Sequence, residues 1–283
     1  MKHNDKFLLA GVIGYPIMHS RSPMMHNHWL EKNSLVGRYV PLAIQPAHLE
    51  GALRGLHPLG FSGCNVTIPH KQACMQYLDE LSPSAKAMGA VSCIHAREDG
   101  SLFGTNNDSF GFIRNLKASN PNWRADAGPI TVIGAGGGSR AVCYGLIQEG
   151  AKEIRLVNRS FEKAQVLANS LGPQIKPLDW NQLNESLSGI KTLVNATSLG
   201  MVGQAPLEID LSDLDKDALV TDIIYIPLET DLLKTAKARG NPVTNGLGML
   251  LHQGPLAWKI WFGIEPLVTE ELRGLLEKSI TAQ

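Results

Sequence analysis

Short apolar runs recur along the chain, separated by longer stretches in which apolar positions return every three or four residues. That alternation is the signature of an α/β protein with a largely parallel sheet. In the N-terminal part, Phe7 to Ile13, Arg38 to Ile44 and Phe61 to Val66 read as strands, with helices over Pro23 to Lys32 and Pro46 to Leu56 between them. Ala90 to His95 and Ser101 to Thr105 flank the turn-forming pair Asp99-Gly100, which predicts a hairpin. The segment Ser119 to Pro129, with two prolines, two asparagines and a glycine, then interrupts the pattern, and a second α/β series begins. Its expected strands are Ile130 to Ile133, Glu153 to Val157, Thr192 to Asn195 and Leu219 to Asp222. Beyond Asn245, the residues Leu247, Leu250, Leu251, Gly254, Trp258 and Trp261 fall on one face of a helix. Such a face must pack on something already folded.

The length of 283 residues accommodates two such lobes, and 43% hydrophobic content is too high for a disordered chain. Twenty-six basic residues balance 26 acidic ones, with no polybasic block, so neither nucleic acid nor an anionic membrane is an expected partner. A small anionic ligand is compatible with that balance. No run approaches the roughly 18 apolar residues of a spanning helix. Lys2 and Lys6 before the apolar run from Phe7 loosely imitate a secretory signal. Pro16 and His19 cut the run short and no small-residue cleavage site follows, so a buried first strand is the expectation. Cys64, Cys74, Cys93 and Cys143 form no C-x-x-C pair and have no histidines at zinc spacing. They are expected to be thiols in a reducing cytoplasm, with no metal site.

The 28 glycines exceed the usual roughly 7% and cluster most densely at Gly134-Ala135-Gly136-Gly137-Gly138-Ser139. This segment leaves an expected strand and opens an expected helix, the context that a dinucleotide-binding G-x-G-x-x-G turn requires. Gly134 and Gly136 take the first two glycine places and Ser139 the third. The helix N-terminus offers free N–H groups and the positive end of its dipole to a pyrophosphate. At the end of the next strand, where NAD enzymes usually hold the ribose 2′-hydroxyl with an acid, the chain has Asn158-Arg159-Ser160, with Lys163 one turn on. A guanidinium forks onto a 2′-phosphate that a carboxylate would repel, so NADP is favoured over NAD.

Polar clusters at the expected strand-to-helix junctions of the first lobe carry the remaining chemistry. They are His19-Ser20-Arg21-Ser22-Pro23, Asn65-Val66-Thr67-Ile68-Pro69-His70-Lys71 and Thr105-Asn106-Asn107-Asp108. Side chains at the carboxyl ends of parallel strands point into the crevice where α/β proteins bind ligands. Hydroxyls and carboxamides together suit a polyol acid. With Gly89-Ala90-Val91, Asn195-Ala196-Thr197-Ser198, Tyr225 and Gly248-Met249-Leu250-Leu251-His252-Gln253-Gly254, these segments resemble the shikimate dehydrogenase family over nearly the whole chain.

The resemblance implies an α/β substrate-binding and catalytic domain over residues 1–110, completed by 246–283, and a Rossmann-type NADP-binding domain over 111–245, with a cleft between them. It implies reversible NADPH-dependent reduction of 3-dehydroshikimate to shikimate, in the biosynthesis of chorismate and the aromatic amino acids, by a monomer or homodimer. Carried over residue by residue, Ser20 and Ser22 hold the substrate carboxylate, while Asn65, Thr67, Ser92, Tyr225 and Gln253 reach the substrate. Ser22 is also compatible with capping the helix that Pro23 begins. Lys71 is the catalytic lysine and Asp108 its paired aspartate. Asn195, Thr197, Ser198, Ile223 and Gly246 lie along the cofactor.

Two positions depart from the family pattern. The usual G-A-V-N-T is here Gly89-Ala90-Val91-Ser92-Cys93, which puts a shorter serine where an asparagine bonds substrate hydroxyls, and the usual N-T-D is Asn106-Asn107-Asp108. A lost direct hydrogen bond costs about 1 kcal/mol. The substituted contact keeps a quinate/shikimate or related polyol-acid dehydrogenase as the alternative enzyme. The alternative from another class is a non-catalytic NADP-binding regulatory module, against which Lys71 and Asp108 argue.

Overall fold

The computed structural model describes residues 7–282, so Lys2 and Lys6 lie outside the described residues. The chain divides into two compact units, residues 7–107 with Gln253–Ser279, and Asp108–His252 with residues 280–282. The first contains β1 (Leu8–Gly14), α1 (Ser22–Lys32), β2 (Gly37–Ala43), α2 (Leu49–Gly55), β3 (Gly63–Val66), α3 (His70–Ala73), β4 (Glu80–Leu81), α4 (Pro83–Met88), β5 (Cys93–Ala96) and β6 (Leu102–Thr105). The second contains α5 (Asp108–Ser119), β7 (Ile130–Ile133), α6 (Gly137–Gln148), β8 (Ile154–Asn158), α7 (Phe161–Leu171), β9 (Ile175–Asp179), β10 (Thr192–Asn195), β11 (Leu219–Asp222), α8 (Asp231–Ala238) and β12 (Val243–Thr244). Helix α9 (Leu247–Phe262) contributes its first turns to the second unit and the rest to the first, and α10 (Glu270–Thr281) follows.

In the first unit the described strands form a sheet in the order β2-β1-β3-β5-β6-β4. β1 runs parallel to β2 and β3, and the expected hairpin β5–β6 is antiparallel within itself and to β3. β1 is buried along almost its whole length, as a central strand covered on both faces must be. One face packs Ile13, Val66, Val91 and Ile94 against Leu49 and Leu53 of α2. The aromatic stripe of α9 is buried in this unit: the Trp261 indole donates to Ile94 O at 2.8 Å, and Trp258 donates to His26 Nδ1 of α1 at 2.7 Å. The helix expected over Pro46 to Leu56 begins as a 3-10 turn, Pro46–His48, before α2 proper.

The second sheet, in the order β12-β11-β10-β7-β8-β9, is parallel throughout. Numbered from β7, that is the 3-2-1-4-5-6 order of a Rossmann fold. Adjacent strand residues face opposite layers. Val132, Leu156 and Val194 join Phe112, Leu116, Val142 and Leu146 from α5 and α6, whereas Ile133, Val157, Leu193 and Val220 join Leu187, Leu214 and Leu232 on the other side. Strand β9 is absent from the sequence expectation because Pro177 breaks its alternation, and an edge position is where a strand tolerates proline. No helix among the described residues is long and apolar enough to cross a membrane.

Candidate functional site

In the second unit, the segment after β7 turns on Gly134, whose φ is +106°, and enters α6 at Gly137 with Gly136 as N-cap. A Cβ at Gly134 would lie 2.8 Å from Thr197 Cγ2 and 3.1 Å from Ala196 O, so this glycine is required by the protein itself. A Cβ at Gly136 would meet nothing within 4 Å. Nothing inside the protein demands a glycine there, which is the behaviour expected where a pyrophosphate must approach bare backbone. Gly138 packs on Ile223, whose Cδ1 would be 2.9 Å from an added Cβ, and buried Ser139 donates to Ala196 O at 3.3 Å. The start of α6 is thus pinned to the ends of β10 and β11. Its free N–H groups open at the switch point between β7 and β10, where the strand order reverses.

Asn158 at the end of β8 accepts from Ala135 N at 3.1 Å and donates to Ser160 O at 2.8 Å, tying the glycine turn to the next loop. Ser160 caps α7 by accepting from Lys163 N, and Arg159 and Lys163 are exposed. The Arg159 guanidinium lies 5.9 Å from the ring centre of Trp180, a residue that the sequence pattern does not single out. Two cations and an aromatic face beside a helix N-terminus fit a phosphorylated ribose, while the Ser160 hydroxyl donates to Glu162 Oε2 at 2.8 Å.

After β10, the Asn195 carboxamide is fully engaged within the protein. It donates to Leu199 O at 3.1 Å and Asp222 Oδ2 at 3.0 Å, and accepts from the N–H and the hydroxyl of Thr197. The Thr197 hydroxyl in turn accepts from Leu199 N at 3.0 Å, whereas Ser198 is exposed. Asp222 also accepts from Ile224 N and the Thr230 hydroxyl, each at 2.9 Å. Burial pushes its carboxyl up to about 6, against these stabilising bonds. Asp222 and Thr230 carry no sequence signal, since a buried acid is recognisable only once its partners are in place. Gly246 donates to Ile224 O, and a side chain there would overlap Ile223 O. Tyr225 is half-buried in the same loop, and Asp108 is the buried first residue of α5.

In the first unit, the expected substrate residues gather at the ends of β1, β3 and β5. Thr67 N donates to Ile13 O, and Tyr15 N donates to Ile68 O, so the segment leading to Ser20 and Ser22 is bonded to the one leading to Lys71. Ser20 Oγ accepts from Ser22 N at 3.3 Å. The helix N-cap is Arg21 with no side-chain capping bond, which removes the capping alternative for Ser22. Buried His70, bonded to Ile44 O at 2.7 Å, and the bond from Val91 N to Lys71 O at 2.8 Å fix the short helix α3 that presents half-buried Lys71. Asn65 accepts from the Tyr39 hydroxyl at 2.7 Å and donates to Ser92 O at 3.2 Å and Gln253 Oε1 at 3.4 Å. Gln253, 188 residues away in sequence, is thereby brought onto Asn65. Among the described residues no group of three or more His, Cys, Asp or Glu is placed to hold a metal ion.

The Rossmann sheet, its glycine turn and the basic residues after β8 define the class first: a nicotinamide-nucleotide-dependent oxidoreductase. Three family models then match in order along the chain: the shikimate dehydrogenase substrate binding domain over residues 12–94, shikimate/quinate 5-dehydrogenase over 118–223, and the shikimate 5′-dehydrogenase C-terminal domain over 246–270. The chain is 49% identical to the NADP+-dependent shikimate dehydrogenase of Paramagnetospirillum magneticum over 273 residues, 96% of this chain and 99% of that one. A shikimate dehydrogenase solved in complex with NADP+ superposes with a TM-score of 0.89 at 36% identity, over 98% of this chain and 97% of that one. The quinate dehydrogenase of Corynebacterium glutamicum, solved with NAD, gives 0.88 at 31% identity, over 95% and 99%. The chain belongs to the shikimate dehydrogenase family.

Proposed function

We propose that this chain interconverts 3-dehydroshikimate and shikimate with NADPH and NADP+, a step in the formation of chorismate and the aromatic amino acids. The observation that carries this reading is the near-full-length identity to an NADP+-dependent shikimate dehydrogenase. Arg159 standing where an NAD site would carry an acid supports the choice of cofactor. When bound, NADPH supplies the hydride.

The backbone of Gly134–Ser139 takes the pyrophosphate, and Asn158, Arg159, Ser160 and Lys163 take the phosphorylated ribose. Ser198, Ile223 and Gly246 line the path of the cofactor. Asn195 and Thr197 shape that path through their own hydrogen bonds, because their side-chain polar atoms are engaged within the protein. Ser20 and Ser22 hold the substrate carboxylate, and Asn65, Thr67, Tyr225 and Gln253 its hydroxyls. Reduction places a hydride on carbon and requires a proton on oxygen. The Lys71 ammonium donates that proton and takes it back in the oxidative direction, with Asp108 as the carboxylate of the catalytic pair.

Quinate oxidation is the second reading, favoured by the likeness to the quinate dehydrogenase and by Ser92. Steady-state oxidation of shikimate and quinate with each nicotinamide separates the two. Shikimate with NADP+ should give the highest kcat/KM, and quinate with NAD+ outperforming it overturns the proposal. Lys71→Ala should lower kcat by orders of magnitude with little change in KM, because the proton-donor contact matters chiefly in the transition state. Unchanged turnover removes Lys71 from this role. Cys64, Cys74, Cys93 and Cys143 are buried and form no disulfide, which supports a reducing, cytoplasmic setting. The working unit is a monomer or a homodimer, which light scattering reads directly.

A further inference from the structure

The two departures from the family pattern, Ser92 and Asn107, touch each other. Asn107 N donates to Ser92 Oγ at 2.9 Å, and Ser92 Oγ donates to Asn106 Oδ1 at 3.4 Å. A serine hydroxyl has one proton to give. That of Ser92 is spent on Asn106, whose own amide is held by Ala90 O at 2.9 Å. Ser92 is therefore occupied in setting the backbone of residues 106 and 107.

Asn107 is in the opposite condition. It is 4% exposed, and its Nδ2 is buried with no hydrogen-bond acceptor. Buried amide donors are nearly always paired in folded proteins, so this one calls for an acceptor from outside the chain. Its surroundings belong to the proposed substrate cluster: the carbonyl of Ser92 accepts from Asn65 Nδ2, and the neighbouring Val91 N is bonded to Lys71 O. The family pattern has its carboxamide at the position of Ser92, and in this chain the carboxamide stands at 107 instead.

We propose that Asn107 is the specificity-determining residue of this site, its Nδ2 donating to one of the two ring hydroxyls of the substrate that are not oxidised, with Ser92 as the positioning residue that aims it. The inference rests on the polyol-acid reading above. It places the discriminating contact on a residue to which the family resemblance assigned no role, and it gives Ser92 a role through the backbone of Asn107 instead of through the ligand.

The test is the steady-state kinetics of wild type, Asn107→Ala and the double variant Ser92→Asn/Asn107→Thr with NADP+ and three substrates: shikimate and the two monodeoxy analogues that keep the hydroxyl to be oxidised. Asn107→Ala should lower kcat/KM for shikimate about ten-fold, mainly through KM, while KM for NADP+ stays unchanged. The loss should vanish for one of the two analogues and persist for the other, which a merely structural effect would not do. The double variant, with the carboxamide returned to position 92, should recover most of the activity. A kcat/KM for Asn107→Ala within two-fold of wild type, or an equal loss on all three substrates, overturns the proposal. Wild-type activity on quinate instead of shikimate would overturn the functional reading alone, and the same ratios on quinate and its deoxy analogues would then decide Asn107.

Discussion

Gly134 and Gly136 stand two residues apart in one turn and are glycine for different reasons. Gly134 combines a left-handed backbone with the crowding of Thr197, so Gly134→Ala strains the chain twice and should cost about 2 kcal/mol or more. Gly136 has an extended backbone, with φ −86° and ψ −171°, that any residue adopts, and open space beside it. Gly136→Val should therefore leave the melting temperature near that of wild type and raise KM for NADP+ at least ten-fold. A thermal melt and an NADP+ titration of the two variants distinguish the roles, and a stability loss in Gly136→Val would show that its glycine serves packing. The G-x-G-x-x-G spacing locates both residues, but the cause of each is visible only when neighbours distant in sequence surround them. Asn107 extends the point, since nothing in its local sequence announces an unpaired amide.

At the scale of elements, strands β10 and β11 are joined beyond their ladder by the Asn195, Asp222 and Thr230 side chains. Asn195→Ala removes both donated bonds and leaves the Thr197 N–H and the Asp222 carboxyl short of partners in a buried place. A loss of about 3 kcal/mol is expected in urea unfolding, a size that neutral side-chain truncation at the surface does not reach. A loss below about 1 kcal/mol would mean that the network holds without it. The strands themselves were legible as apolar runs, because parallel strands covered on both faces must be apolar throughout. Strand β9 was not legible because its pairing with β8 tolerates Pro177 at the edge, and two-residue β4 and β12 are too short to show a period.

For the whole molecule, two buried groups set opposing pH dependences. His26 accepts from the Trp258 indole and stacks on Tyr39 at 4.0 Å, and burial takes its pKa from 6.5 down to about 3. The unfolded chain then binds a proton that the folded chain refuses, so this stability is complete above pH 6.5 and falls by about 1.4 kcal/mol per unit toward pH 3. Asp222 has the reverse sign: its pKa rises from 3.8 to about 6, so the folded chain keeps its proton longer and stability falls as pH rises through that window. Between pH 4 and 6 the two slopes oppose each other. His26→Gln should leave a chain that loses up to about 3 kcal/mol from pH 4 to 6, and Asp222→Asn one that gains a similar amount. Urea unfolding at fixed ionic strength measures both, and curves parallel to wild type would exclude either group as a source of pH dependence.

The α/β class, the glycine turn, the basic residues after the second strand of the nucleotide unit and the family to which the ordered motifs belong are all legible in the order of residues along the chain. These are local matters: hydrophobic period, turn chemistry and short spacings act between residues close along the chain. Long-range folding is what engages the side chains of Asn195 and Thr197 within the protein, leaves Ser22 without a capping bond, brings Gln253 to Asn65, and bonds Asn107 N to Ser92. Hydrogen-bond partnership and burial depend on what long-range folding brings within about 3 Å, and no local period encodes which donor is left over.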